Sequence, residues 1–353
     1  MALLHVTSPH AHSPMTTQRV MLEVCLAGLP GALMLSIFFG AGIWINIVFA
    51  CILSLLFETG ILWLRGWPVK HFVFDGSALV TGFLLGVALP PTVPWWLLTI
   101  GVFTAIVVAK HLYGGLGQNP FNPAMVGYVV LLISFPVEMT RWLPPDMLAE
   151  SDVLHSLSGA ALNFFNLTPL EVDAYTAATG LDALKTARSQ SLSPEEALAL
   201  YPSLTAYGDS VHSAGWRWVN VFFLLGGLFL LWRKHISWHI PVSLLSMLGL
   251  CSVIGSTLDP MTGILSFHVL SGASMLGAFF IATDPVSAAT STRGKLIYGA
   301  GIGLITYVIR VLGSYPDAIA FAVLLMNICV PTIDYYTRPR TYGHKRAKTG
   351  WSD

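Results

Sequence analysis

Ten apolar stretches recur along this chain, at residues 20–40, 43–64, 77–93, 95–111, 123–137, 216–233, 237–256, 263–283, 296–312 and 316–332. Most approach the roughly 20 residues a helix needs to cross about 30 Å of hydrocarbon. Only 10% of the residues are charged, against about 25% in soluble domains. So little charge cannot clothe a globular surface in water. The pattern predicts an all-α polytopic membrane protein of about ten transmembrane helices. Net charge is zero, which gives no electrostatic footprint for nucleic acid. The polar N-terminus lacks a short apolar core followed by a small-residue cleavage site, so the first helix is expected to insert directly.

Basic residues set the orientation. Arg65 and Lys70 follow the second stretch, Lys110 and His111 the fourth, and Arg233, Lys234 and His235 the sixth. Arg293 and Lys295 follow the eighth, and Arg338, Arg340, Lys345, Arg346 and Lys348 the tenth. All fall on one side if both termini are cytoplasmic. The expected organisation is a membrane half over 1–137, an extracytoplasmic polar region over 138–215, a second membrane half over 216–332 and a basic cytoplasmic tail over 333–353. Within the polar region, "SLSPEEALAL" starts a helix: Ser193 caps, Pro194 suits the first turn and Glu196 completes a capping box.

The halves are related. "SALVTGFLLGVALPP" from Ser77 and "GASMLGAFFIATDP" from Gly272 align at an offset of 195, matching Ala78 with Ala273, Gly82 with Gly277 and Pro90 with Pro285. These are the third stretches of two five-helix halves, and an odd number of spans reverses the second half. That is the inverted-repeat plan of many transporters. Between the fourth and fifth stretches, "KHLYGGLGQNPFNPAMVGY" (Lys110–Tyr128) forbids a continuous helix. It reads either as a structural corner or as the lining of a cofactor or ion site.

Charges within or beside the spans are Glu58, Asp75, Asp284, Arg310 and Asp317. Intramembrane charge is a functional candidate by default. The three aspartates lie near predicted boundaries, where helix capping explains them. Glu58 lies deeper and is the candidate for an ion or proton path. Cys25, Cys51, Cys251 and Cys329 sit singly in apolar runs, which supports no metal or cluster site. His235 and His239 share one helix face, whereas a bis-histidine haem needs ligands on opposite sides of its ring.

One polar stretch stands apart, "DAYTAATGLDALK" from Asp173 to Lys185. Thr179 with Asp182 three residues later reads as an N-cap and partial capping box. The pattern Asp173-x-x-Thr176-x-Ala178-Thr179 also resembles the flavinylation motif of redox-driven sodium pumps and their Rnf relatives. There a flavin transferase joins FMN through its phosphate to the last threonine. The readings are compatible, because a helix start offers free N–H groups to a phosphate. Asp182 would oppose it and Lys185 and Arg188 would offset that. A similar string, "LSGAS" (Leu270–Ser274), lies inside a predicted span, ends in Ser and reads as close helix packing.

Longer strings carry the same resemblance across nearly the whole chain. "YGGLGQNPFNPAMVGYVVLLISFP", "GWRWVNVFFLLGGLFLLW", "WHIPVSLL", "MLGAFFIATDPVSA", "YPDAIAFAVLLMNI" and "PTIDYYTRPRTYGH" are similar to the NqrB/RnfD family. Its members are membrane subunits of Rnf complexes and of the sodium-pumping NADH:quinone oxidoreductase. The resemblance implies an inner-membrane subunit of an ion-translocating oxidoreductase, with no complete active site in this chain. It implies covalent FMN on Thr179, and Rnf subunits A, B, C, E and G as partners with the iron–sulfur clusters. It also admits a second, non-covalent flavin such as riboflavin, for which no motif can be assigned. The rival class is a secondary transporter or channel with no redox role.

Overall fold

A computed structural model describes residues 16–145, 156–167, 179–200, 211–259, 265–313, 315 and 318–339. Asp173, Thr176 and Ala178 of the flavin-type motif, and Asp317, lie outside the described residues. The described residues are helical and contain no strand. In a bilayer this is obligatory for segments that do not close a barrel, since lipid offers no partner to free backbone N–H and C=O groups.

Two long helices open the chain, α1 (Thr17–Phe39) and α2 (Gly42–Leu64). After the short α3 (Val69–Val73), α4 (Ser77–Ala88) starts at Asp75, whose Oδ1 accepts from the Ser77 N–H at 2.7 Å, and ends before Pro90 and Pro91. Helix α5 (Trp95–Phe103) continues as a π-helix through His111, with Leu112 N–H donating to the Val107 carbonyl at 3.1 Å. The corner that follows turns on Gly114, Gly115 and Gly117, all at positive φ, and delivers the chain to Asn122, which caps α6 (Pro123–Ser134). The polar region then contributes α7 (Pro136–Thr140), α8 (Leu157–Phe164), α9 (Gly180–Ser189) and α10 (Pro194–Leu200).

The second membrane half begins with α11 (Val211–Trp232) and α12 (His239–Leu258). The predicted span 263–283 is broken into α13 (Leu265–Leu270), a bend, and α14 (Ser274–Leu276), which runs on as a π turn through Ile281. Helices α15 (Thr292–Leu312) and α16 (Ile319–Tyr336) complete it. Helices α1, α2, α11, α12, α15 and α16 are long and apolar enough to cross a membrane. Helices α4 and α6 have 12 residues each, about 18 Å at 1.5 Å per residue. These short segments pack against long helices, α4 on α2 and α6 on α16.

The first helices of the two halves pack on each other, α1 on α11, and so do the last, α6 on α16. Lipid gives no hydrophobic drive between helices, so close backbone approach matters. Gly226 of α11 lies directly on the Ala27 carbonyl of α1, and Gly86 of α4 would bring a Cβ to 2.8 Å from the Ile47 Cα of α2. Outward-facing apolar side chains, such as Leu56 at 60% and Leu258 at 81% exposure, suit a lipid solvent.

Two ends of the bundle are chemically distinct. At one, Glu23 of α1 accepts from Arg19 (3.0 Å), Arg233 (2.7 and 2.8 Å) and the His235 ring at 2.5 Å. There too, Thr290 of the loop before α15 donates to Asp334 of α16 at 2.9 Å, and the Ser291 and Thr337 hydroxyls pair at 2.6 Å. Helices α8 and α9 of the polar region pack onto the other end, on α2 and α15. Asn163 of α8 donates to the Thr92 carbonyl at 3.0 Å, and Phe164 meets Phe49 with ring centroids 5.0 Å apart. The Ser193 cap forms as expected: Ser193 N–H and hydroxyl each donate to Glu196 at 2.9 Å. Those donations hold the Glu196 carboxyl below its usual range.

Candidate functional site

Thr179 has extended backbone (φ −65°, ψ 160°) and caps α9. The capping box is complete. Asp182 N–H donates to Thr179 Oγ1 at 3.3 Å, Thr179 N–H donates to Asp182 Oδ2 at 3.3 Å, and the Thr179 hydroxyl donates to the same oxygen at 2.6 Å. Helix α9 is not a free arm. Leu181 and Leu184 bury against Phe267 of α13, and Arg188 donates to the Val311 carbonyl at the end of α15 at 3.1 Å and faces Asp259 at 3.4 Å.

Beside Thr179 opens a cavity of about 340 Å³ between the halves, walled by α1, α4, α6, α11, α13 and the bend. Its aromatic lining includes Tyr128, Trp142, Trp216, Phe223 and Phe267. Trp142 and Trp216 lie 5.0 Å apart, and Phe39 packs behind them at 5.6 and 4.7 Å. Thr179, Gly180, Asp182 and Arg217 form the polar rim. Aromatic walls, the Arg217 cation and the Thr179 hydroxyl make a donor set that fits a ring system carrying a phosphate. Arg188, expected to offset Asp182, instead ties α9 to α15. Arg217 is the cation at the cavity, and no local pattern announces it, because it lies 38 residues from Thr179. "LSGAS" is likewise not uniform helix packing. It forms the bend, and Leu270, Ser271, Gly272 and Ala273 line the cavity. A helix cannot run through Gly272, which sits at φ 58°.

Asp182→Ala removes one side of the capping box and is expected to cost α9 about 1 kcal/mol. Hydrogen exchange would read this as faster exchange of the amides at the start of α9 and unchanged protection in α1.

A second, smaller cavity of about 100 Å³ lies toward the other end, lined by Ser77, Lys110, Asn119, Asn122, His235 and Asp284 among others. The corner of "GGLGQNPFNP" thus both turns the chain and lines a cavity. Lys110, which from sequence reads as a loop cation, is buried. Its ammonium donates to Glu58 at 2.6 and 2.8 Å and to the Ser77 hydroxyl at 2.7 Å. His111 Nε2 lies 3.6 Å from Glu58, beyond hydrogen-bonding range. Asp75 and Asp284 act as local caps, Asp284 accepting from the Ser287 hydroxyl at 2.7 Å. Arg310 is buried and donates to backbone carbonyls. Among the described residues, no three His, Cys, Asp or Glu side chains converge as a metal site.

Fold and site together define a multi-pass α-helical membrane protein with a polar region seated on one end and an aromatic cavity beneath a capped threonine. The chain belongs to the NQR2, RnfD, RnfE family, whose model matches residues 5–343. It is 52% identical to the D subunit of the ion-translocating oxidoreductase complex of Pseudomonas aeruginosa (strain UCBPP-PA14), over 99% of each chain. It is equally identical to the proteins of the same name from Aliivibrio salmonicida (strain LFI1238), over 98% of this chain and 100% of the relative, and Yersinia pseudotuberculosis serotype I (strain IP32953), over 96% and 98%.

Proposed function

We propose that this chain is the membrane subunit of a redox-driven ion pump and carries FMN joined through its phosphate to Thr179. The single observation behind the flavin is that Thr179 caps a helix at the rim of an aromatic cavity. Thr179 would hold the phosphate as an ester, keeping the acceptor role toward the Asp182 N–H while losing the hydroxyl's donation to the Asp182 carboxylate. Arg217 would face the phosphate, and Trp142, Trp216 and Phe267 would flank the ring. The bound flavin supplies the electron-carrying chemistry. The protein supplies orientation and electrostatics.

Sidedness follows from charge. Arg19, Arg65, Lys70, Arg233, Lys234, Arg293, Lys295 and Arg338 share the end away from Thr179. That end is cytoplasmic by the positive-inside rule, in the bacterial inner membrane, and α9 lies on the periplasmic side where a flavin transferase would reach it. The partners are Rnf subunits A, B, C, E and G. The membrane halves act as inverted repeats around the two cavities, which adjoin at Ala124 and Met125 of α6 and at Phe280 and Ile281. A cation, sodium or proton, crosses as these halves change arrangement. Because α9 is seated on α13 and α15, displacement of the polar region is transmitted to the broken segment. A second, non-covalent flavin is part of this reading, without an assigned position.

The test is a denaturing gel of the purified subunit, co-expressed with a flavin transferase and viewed under ultraviolet light. A fluorescent band is expected, and Thr179→Val is expected to abolish it. A dark band in the unsubstituted protein would overturn the covalent flavin and favour a transporter without redox role. A band that survives Thr179→Val would move the attachment point.

A further inference from the structure

The bend between α13 and α14 interrupts a helix inside the bundle, and the backbone groups it frees must find partners there. Two buried side chains supply them, each about 1% exposed. Arg310 of α15 donates to the His268 carbonyl at 2.6 Å and the Ser271 carbonyl at 3.3 Å. From the opposite flank, Asn220 of α11 donates to the Leu270 carbonyl at 3.0 Å and the Gly272 carbonyl at 2.9 Å, and accepts from the Met275 N–H at 3.0 Å. Ser274 closes the turn from within, its hydroxyl donating to His268 and Ser271 at 2.8 and 2.9 Å.

We infer that Arg310 and Asn220 are a pair of positioning residues that clamp this bend from two helices and thereby fix the cavity wall beside Thr179. Leu270 through Ala273 form that wall, and Phe267, one residue before His268, is the seat of α9. The clamp therefore sets both the shape of the cavity and the docking of the helix that bears Thr179. Neither residue lines the cavity. The planar guanidinium reaches two carbonyls three residues apart in sequence, which a single ammonium does less well. Buried amide and guanidinium donors also resist loss, because truncation leaves several carbonyls without partners in a medium that cannot hydrate them. The consequence for function rests on the flavin reading, but the clamp does not.

The primary test is independent of flavin. In protein with the four native cysteines replaced by Ala, Ser271→Cys is labelled with a maleimide in detergent. Adding Arg310→Gln or Asn220→Ala is expected to raise the labelling rate severalfold, with Arg310→Lys intermediate and elution on size exclusion unchanged. Equal rates in all four proteins would overturn the clamp. If Arg310→Gln fails to accumulate, Arg310→Lys decides by the same comparison. The second readout is fluorescence of flavinylated protein before and after denaturation. Trp142 and Trp216, which line the cavity, would quench a flavin lying against them, so the clamp variants are expected to show brighter native fluorescence with lower anisotropy and an unchanged gel band. A dark gel band in the unsubstituted protein strikes the flavin reading alone.

Discussion

Replacing Lys110 with Met is expected to destabilise the bundle by about 3–5 kcal/mol, because removing one partner of a buried ion pair leaves the other charge uncompensated. Lys110 and Glu58 are each 2% exposed or less, and their contact at 2.6 Å joins the end of the π-wound segment to α2, with Ser77 adding the start of α4. The methionine chain fills the stem of the lysine without its three donors. The midpoint of thermal unfolding in detergent should fall sharply. The double substitution Lys110→Met with Glu58→Leu should recover most of the loss, since an apolar pair of similar volume removes the desolvation cost along with the attraction. Equal instability of single and double variants would show that the pair contributes packing rather than charge. The same cycle bears on Glu58 as an ion or proton candidate: if the stable double variant supports transport in the assembled complex, Glu58 carries structure and not cargo.

Gly226→Leu is expected to be the most damaging single substitution in the apolar seam, at about 3 kcal/mol or more. A Cβ at this position meets a backbone oxygen, the Ala27 carbonyl, together with the Phe280 ring at 3.1 Å. Backbone cannot rotate aside as a side chain would, so α1 and α11 must separate along their length. The first spans of the two halves meet on this seam, and the Glu23 cluster with Arg233 and His235 closes it at one end. Disulfide trapping or limited proteolysis between the halves should therefore change together with thermal stability. Gly60→Leu is the control, because nothing lies within 4 Å of a Cβ there, and it should leave both readouts unchanged.

The polar cap at Thr179 is legible in the sequence because its chemistry is local. Thr179 and Asp182 are three residues apart, and a helix start fixes their geometry without help from elsewhere. The Ser193–Glu196 box is legible for the same reason. Lys110 is not. A lysine and histidine after an apolar run look like a cytoplasmic loop, and only a π-wound helix end turns them inward toward a glutamate 52 residues away. Arg310 is visible as an intramembrane charge, but its carbonyl partners appear only once the eighth stretch is seen to break. That break is hidden because the small residues of "LSGAS" suit close helix packing as well as a bend.

By itself the sequence determined that this chain lives in a membrane, where its long apolar helices lie, and that Thr179 begins a helix. Each depends on composition or on residues within one helical turn, where the solvent preference of side chains and the reach of a cap decide the outcome. The tertiary structure alone decided that Tyr128, Trp142, Trp216, Arg217 and Phe267 converge beside Thr179, and that Glu58 meets Lys110. These residues come from different helices, and their meeting depends on how close glycines such as Gly226 let backbones approach and on where freed backbone groups find donors. No periodicity along the chain encodes those distances, because they are set by packing between helices rather than within them.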